Sequence, residues 1–204
     1  MLTTTFAKIK AEPGSAEIYK ILAEGLGGVS RYGQNTPITL DIIVESIGLD
    51  AAVWAARCTD EPSFNLLLEF TCRCAEHALP LFEAKYPDDK RVRGAIKAAR
   101  LYFTTKTTDY PKYEADTTHS AHSATHAAYY AFAEHETQAA FAAWTAHIAA
   151  DVAADNAHGF QYHADAAHVA QMASNVLYAA HAAWPIAAAE LKWQTEMLLE
   201  LLRK

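Results

Sequence analysis

Between Ala115 and Glu190 the chain holds 29 alanines in 76 residues and not one lysine or arginine. Alanine is the strongest helix former and is depleted in strands, so this stretch can fold only as helices. A single methyl per residue buries little apolar area, so such helices must approach closely and share a neighbour that covers them. Large residues recur singly among the alanines: Tyr129, Phe132, Phe141, Trp144, Ile148 and Val152, then Val169 to Trp184. At helical spacing they are expected to be wedges in a core. Helices are predicted over 117–135, 136–157, 162–184 and 185–202, with a break at Asn156 to Gly159.

The first 110 residues have a different texture but the same period. Ser15 caps a helix bearing Ile18, Ile21 and Leu22, which Gly25, Gly27 and Gly28 stop. A loop over Arg31 to Pro37 leads to a helix begun by Thr39 or Asp41, and Asp50 caps another through Cys58. From Phe64 an apolar stripe runs through Leu67, Leu68, Thr71, Cys72, Ala75 and Leu79 to Phe82, with Pro80 inside it. A proline lacks the amide and clashes with the preceding turn, which predicts a kink or restart near Leu79. Asp89 starts a helix carrying Val92, Ile96, Ala99 and Phe103. Thr104 to Pro111 is expected as a linker, since β-branched residues and a pre-proline tyrosine disfavour helix.

The fold class is therefore all-α, an alanine-rich multi-helix bundle or a short HEAT-like helical stack. Residues 1–47 are expected to be a helical extension of a single domain over 48–204. A chain of 204 residues buries roughly two thirds of its unfolded surface and needs neither metal nor disulfide. Three cysteines, Cys58, Cys72 and Cys74, are expected as buried thiols. The absence of a leader-like start and of an uncharged run long enough to span a bilayer predicts a cytoplasmic protein with no membrane partner.

Formal net charge is −7, which argues against nucleic acid, whose phosphates require a basic footprint. The charge is uneven. Residues 1–110 carry 13 basic and 14 acidic groups, and residues 111–204 carry 4 and 10. An acidic second half can steer a basic protein partner, and Glu134, Glu136, Asp151, Asp155 and Asp165 are the candidate contact residues. Asp151, Asp155 and His158 line one helix face, with His163 near Asp165 after the Gly159 turn. Such carboxylates can also serve acid–base chemistry, but a partner-facing stripe is the preferred reading.

Ten histidines raise a metal alternative. His119, His122 and His126 fall on one helix face and can supply part of a zinc, nickel or iron site, with Glu114, Asp116 or His163 completing it. That alternative extends to a metal-dependent hydrolase, although no His-Glu-x-x-His motif is present. Gly25-Leu26-Gly27-Gly28 lacks the Gly-Lys-Ser/Thr ending of a phosphate loop, and no nucleophile elbow occurs. No catalytic residue and no cofactor are therefore expected. Arg93, Lys97 and Arg100 form a basic ridge; Arg93 and Arg100 are expected as structural anchors for carboxylates from the alanine-rich helices.

The stretch Cys74-Ala75-Glu76-His77-Ala78-Leu79-Pro80-Leu81-Phe82-Glu83, followed by Tyr86-Pro87-Asp88-Asp89, Arg91, Arg93, Ala95-Ile96 and Ala98-Ala99-Arg100, resembles the Imm-5-like immunity proteins. Gly48-Leu49-Asp50-Ala51-Ala52-Val53-Trp54-Ala55-Ala56-Arg57 is similar to alanine-rich proteins of phages and prophages. The resemblance implies an antitoxin-like, non-enzymatic neutraliser that binds a partner toxin or defence protein. It brings no catalytic residues with it. Flat alanine faces also permit a homo-oligomer.

Overall fold

The computed structural model describes residues 2–61, 63–104, 110–157 and 187–204, with positions 173, 175, 178, 179 and 182; the side chains of 102–104, 110–115, 154–157 and 187 are outside that description. The architecture is an all-α bundle. Its helices are α1 (Phe6–Ala11), α2 (Ala16–Gly25), α3 (Val29–Tyr32), α4 (Leu40–Ser46), α5 (Leu49–Ala55), α6 (Phe64–Glu83), α7 (Arg91–Thr104), α8 (Tyr110–Ala133), α9 (Thr137–Ala157) and α10 (Ala187–Leu202). Two short strands, β1 (Thr3–Thr4) and β2 (Ile38–Thr39), pair antiparallel, Thr3 opposite Thr39, and pin the start of the chain beside α4. No helix among the described residues is long and apolar enough to cross a membrane. Of the helix expected over 162–184 only positions 173, 175, 178, 179 and 182 are described, each helical; of the break expected from Asn156 to Gly159, Asn156 and Ala157 belong to α9, and His158 and Gly159 lie outside the described residues.

The centre of the bundle is α9, which packs on α6, α7 and α8. Apart from Thr117, every buried residue described on α8 is an alanine, and alanines dominate the described part of α9 with Ile148 and Val152 among them. Close approach through methyl groups leaves no room for wide side chains between these helices. Tyr129 and Phe132 are accordingly not core wedges: they are 61% and 40% exposed. Large buried side chains come from the other half instead, from Phe6, Ile9, Leu22, Leu68, Phe70 and Phe82. One apolar cluster runs from Phe6 to Leu202 and includes both textures of sequence.

Several local expectations are corrected. Helix α6 continues through Pro80, so it does not restart near Leu79. The proline forfeits one amide close to the helix end, and the last turn is held by burial of Leu79 and Phe82 and by the Ala84 amide donating to the Pro80 carbonyl at 3.0 Å. Helix α8 begins at Tyr110, so Pro111 falls in its first turn, where a missing amide costs nothing. An extra helix, α1, precedes the one expected after Ser15; Thr5 caps it by accepting from the Lys8 amide at 3.2 Å. Gly27 and Gly28 stop α2 at φ 80° and 95°, and their amides are used by Glu24 and Ala23 carbonyls rather than left as a phosphate cradle.

The α8–α9 turn is tight. The Glu136 amide donates to the Ala131 carbonyl at 2.8 Å and the His135 amide to that of Phe132 at 3.0 Å, the pairing of a Schellman cap. His135 occupies the left-handed position at φ 61°, which glycine normally takes. This closure fixes α8 and α9 as an antiparallel hairpin in one register.

Candidate docking site

Two side-chain arrays stand out, and the first is a clamp. Glu69, Glu76 and Glu83 recur every seven residues on α6, and Arg93 and Arg100 are seven apart on α7. In the antiparallel α6–α7 pair these rows meet. Arg93 reaches Glu83 with Nε and Nη2 at 2.7 and 2.6 Å, and Arg100 reaches Glu76 with the same atoms at 2.7 Å each. Arg100 Nη1 also donates to Glu69. Among the described contacts, the carboxylates that Arg93 and Arg100 engage come from α6. Arg93 is 59% exposed and Arg100 29%.

Arg73 extends the clamp to α10, donating to Glu69 at 2.7 Å and Glu200 at 3.5 Å. A surface groove of about 650 Å³ opens here, lined by Arg73, Glu76, His77, Arg100, Trp193 and Glu196 among others. Its guanidiniums already hold carboxylates, so an incoming anion must first displace them. Burial raises Glu69, but the Arg73 and Arg100 guanidiniums outweigh it and hold its carboxyl below the usual range. Under the groove Glu190 is only 3% exposed and accepts from Gln194 Nε2 at 2.7 Å. His77 stands 3.8 Å from the Glu190 carboxylate and edge-on to Trp193. Burial pushes Glu190 up and His77 down, disfavouring charge on both. Burial likewise pushes the Cys72 thiol up to about 12 and raises Cys74, so neither is a ready nucleophile.

The second array is a seam along the α8–α9 hairpin. Phe132 meets Phe141 edge-to-face with ring centroids 5.5 Å apart, and Tyr129 meets Trp144 at 6.4 Å. Toward the open end of the hairpin, His147 is acted on by His122 of α8 and by Asp151, one turn further along α9. Trp144 and His147 are in ring contact at 5.1 Å. Burial lowers the proton affinity of His147, which Asp151 opposes and His122 reinforces. The result is one stripe, aromatic toward the hairpin tip and imidazole–carboxylate beyond it. It is exposed at Tyr129 and half-buried at Phe141, Trp144, His147 and Asp151.

Of the carboxylates expected at a contact face, Asp151 lies on this seam and Glu134 is exposed at the hairpin tip. Glu136 faces the other way and pairs with Lys85 at 3.0 Å, beside the Tyr86–Tyr130 ring contact. The Asp155 side chain, Asp165, His158 and His163 lie outside the described residues. His119, His122 and His126 are all exposed on α8, and His122 Nδ1 is 3.0 Å from the Thr118 carbonyl. Among the described residues no group of three or more His, Cys, Asp or Glu is placed to hold a metal ion. His147 was not singled out by sequence, although its three-residue spacing from Trp144 and four-residue spacing to Asp151 put all three on one face. Compared with known proteins, the chain matches no family model, no curated protein and no solved structure.

Proposed function

We propose that this chain is a non-catalytic protein-binding inhibitor, an immunity- or antitoxin-like neutraliser of a toxin or defence protein, and that the α8–α9 seam is its contact face. The observation carrying this reading is the seam itself. Exposed aromatic rings are the residues that dominate binding energy at protein interfaces. They are held here by paired rings on a rigid hairpin, so little side-chain entropy is lost on docking. The surrounding hairpin offers Glu134 and Asp151 and carries no lysine or arginine from 115 to 157, a field suited to steering a basic partner. The resemblance to immunity proteins points to neutralisation as the purpose of that binding.

The test is quantitative co-purification with the full chain from a native lysate, run beside the double variant Tyr129→Ala/Asp151→Asn. A protein recovered in saturable amount by the parent, and whose activity the parent suppresses, is the expected result. Recovery of no specific protein contradicts the reading. So does stoichiometric transition metal on the purified chain that His126→Ala removes.

A further inference from the structure

We infer that His147 is a proton-operated latch on the seam: a second proton on its imidazole parts α9 from α8 beside Ala121 and unsettles the ring row that forms the contact face. This rests on the seam being that face and adds its regulation. The imidazole is half-buried between the two helices, and its Nδ1 is buried with no hydrogen-bond partner among the described residues. The ring is tied to α8 by a hydrogen bond to the backbone of Ala121, itself a buried residue. A neutral imidazole suits this arrangement. Its one N–H reaches the Ala121 carbonyl, and the unprotonated Nδ1 carries no hydrogen to place. The charged ring adds an N–H at Nδ1, where no acceptor stands, and a buried donor left unmet is the costly case.

The ring row carries the event to the surface. His147 is in contact with Trp144 at 5.1 Å, and Trp144 meets Tyr129 of α8 at 6.4 Å, so three rings run from the latch to the exposed edge. An imidazole that turns outward to hydrate its new N–H withdraws the support behind Trp144. Burial opposes the proton most, Asp151 of α9 favours it, and His122 of α8 opposes it. Among the described residues no charged group of α6 or α7, the other helices packed on α9, bears on the ring. The folded value therefore lies below the ordinary 6.5, and proton uptake favours the parted hairpin. The seam is fully closed above pH 6.5 and loosens as pH falls from there through the folded value, by at most about tenfold per pH unit for one proton.

The experiment follows amide hydrogen exchange by NMR on the full chain, with no partner present, from about pH 8 to about pH 5. Results are compared as protection factors, which remove the intrinsic pH dependence of exchange. Protection of α8 and α9 amides is expected to hold above pH 6.5 and then to fall by up to about tenfold per pH unit, ahead of the amides of α6. His147→Gln keeps an N–H for Ala121 but takes up no proton, and its hairpin should stay protected across the range. Asp151→Asn and His122→Gln should move the response in opposite directions. Losing Asp151 lowers the folded value further and deepens the fall, whereas losing His122 makes it shallower. This pair also decides the matter if His147→Gln does not fold. Hairpin protection indifferent to pH in the parent overturns the inference. So does a fall that survives His147→Gln, is shared equally by α6, or shifts the same way in Asp151→Asn and His122→Gln. None of these results touches the protein-binding reading, which stands or falls on capture near neutral pH.

Discussion

Truncating Arg100 to alanine is expected to lower stability by about 1–2 kcal/mol. The side chain joins α7 to α6 through Glu76 at 2.7 Å twice and through Glu69. An exposed ion pair contributes less than about 1 kcal/mol, whereas removing one partner of a buried pair costs about 3–5 kcal/mol. Arg100 is 29% exposed and Glu76 44%, so the cost lies toward the lower figure, raised by the network of three contacts. For a chain of this size that corresponds to a fall in Tm of about 2–8 °C. The effect has a pH signature. Glu69 is held below its ordinary value of 4.5, burial raising it and the two guanidiniums outweighing burial. A depressed carboxylate adds stability above its unfolded pKa, and that stability is lost as pH falls through the folded value. The gap between parent and Arg100→Ala should therefore be full at pH 7 and close as pH drops below 4.5. Arg100→Lys keeps the charge but loses the fork and should fall between them. Thermal melts across that range make the comparison. A variant as stable as the parent at pH 7, or a gap constant down through acid pH, would refute the clamp.

Glu190→Gln tests the buried carboxyl with the opposite sign. Its folded pKa is raised by burial, so parent stability falls as pH rises from 4.5 through the folded value; the variant should be the more stable at pH 8, with its advantage gone below pH 4.5. Denaturant titration at the two pH values decides it. Ala143→Leu, at a fully buried site of α9, should cost about 1–3 kcal/mol by overpacking, and a neutral effect would mean that alanine does not set the helix spacing. His135→Gly should gain about 0.5–1 kcal/mol by relieving the left-handed cap, read by the same melts.

Much of the fold was legible because helix propensity and apolar period agree along the chain. The bundle follows from the alanines, Thr39 does stand at the start of α4, and Ile148 and Val152 are buried. The aromatic residues were misplaced for a physical reason. Hydrophobicity alone sends Tyr129 and Phe132 inward, but helices in contact through methyl groups have no gap to receive a ring, so the rings are forced to the edges. The clamp had a signal that went unused: acids every seven residues at 69, 76 and 83, followed by arginines seven apart at 93 and 100, match face to face in an antiparallel pair. The seam needed more than sequence. Its register depends on the α8–α9 turn, and the left-handed His135 that makes the turn so short carries no glycine to announce it.

Site-specific photo-crosslinking examines the contact face most directly. A benzophenone amino acid at position 129, on the exposed edge of the seam, is irradiated in native lysate and compared with the same group at position 17 on α2. The account predicts one discrete protein adduct at 129, displaced by excess untagged chain. An adduct formed equally well from position 17, or none from 129 while a partner still co-purifies, would place the binding surface elsewhere.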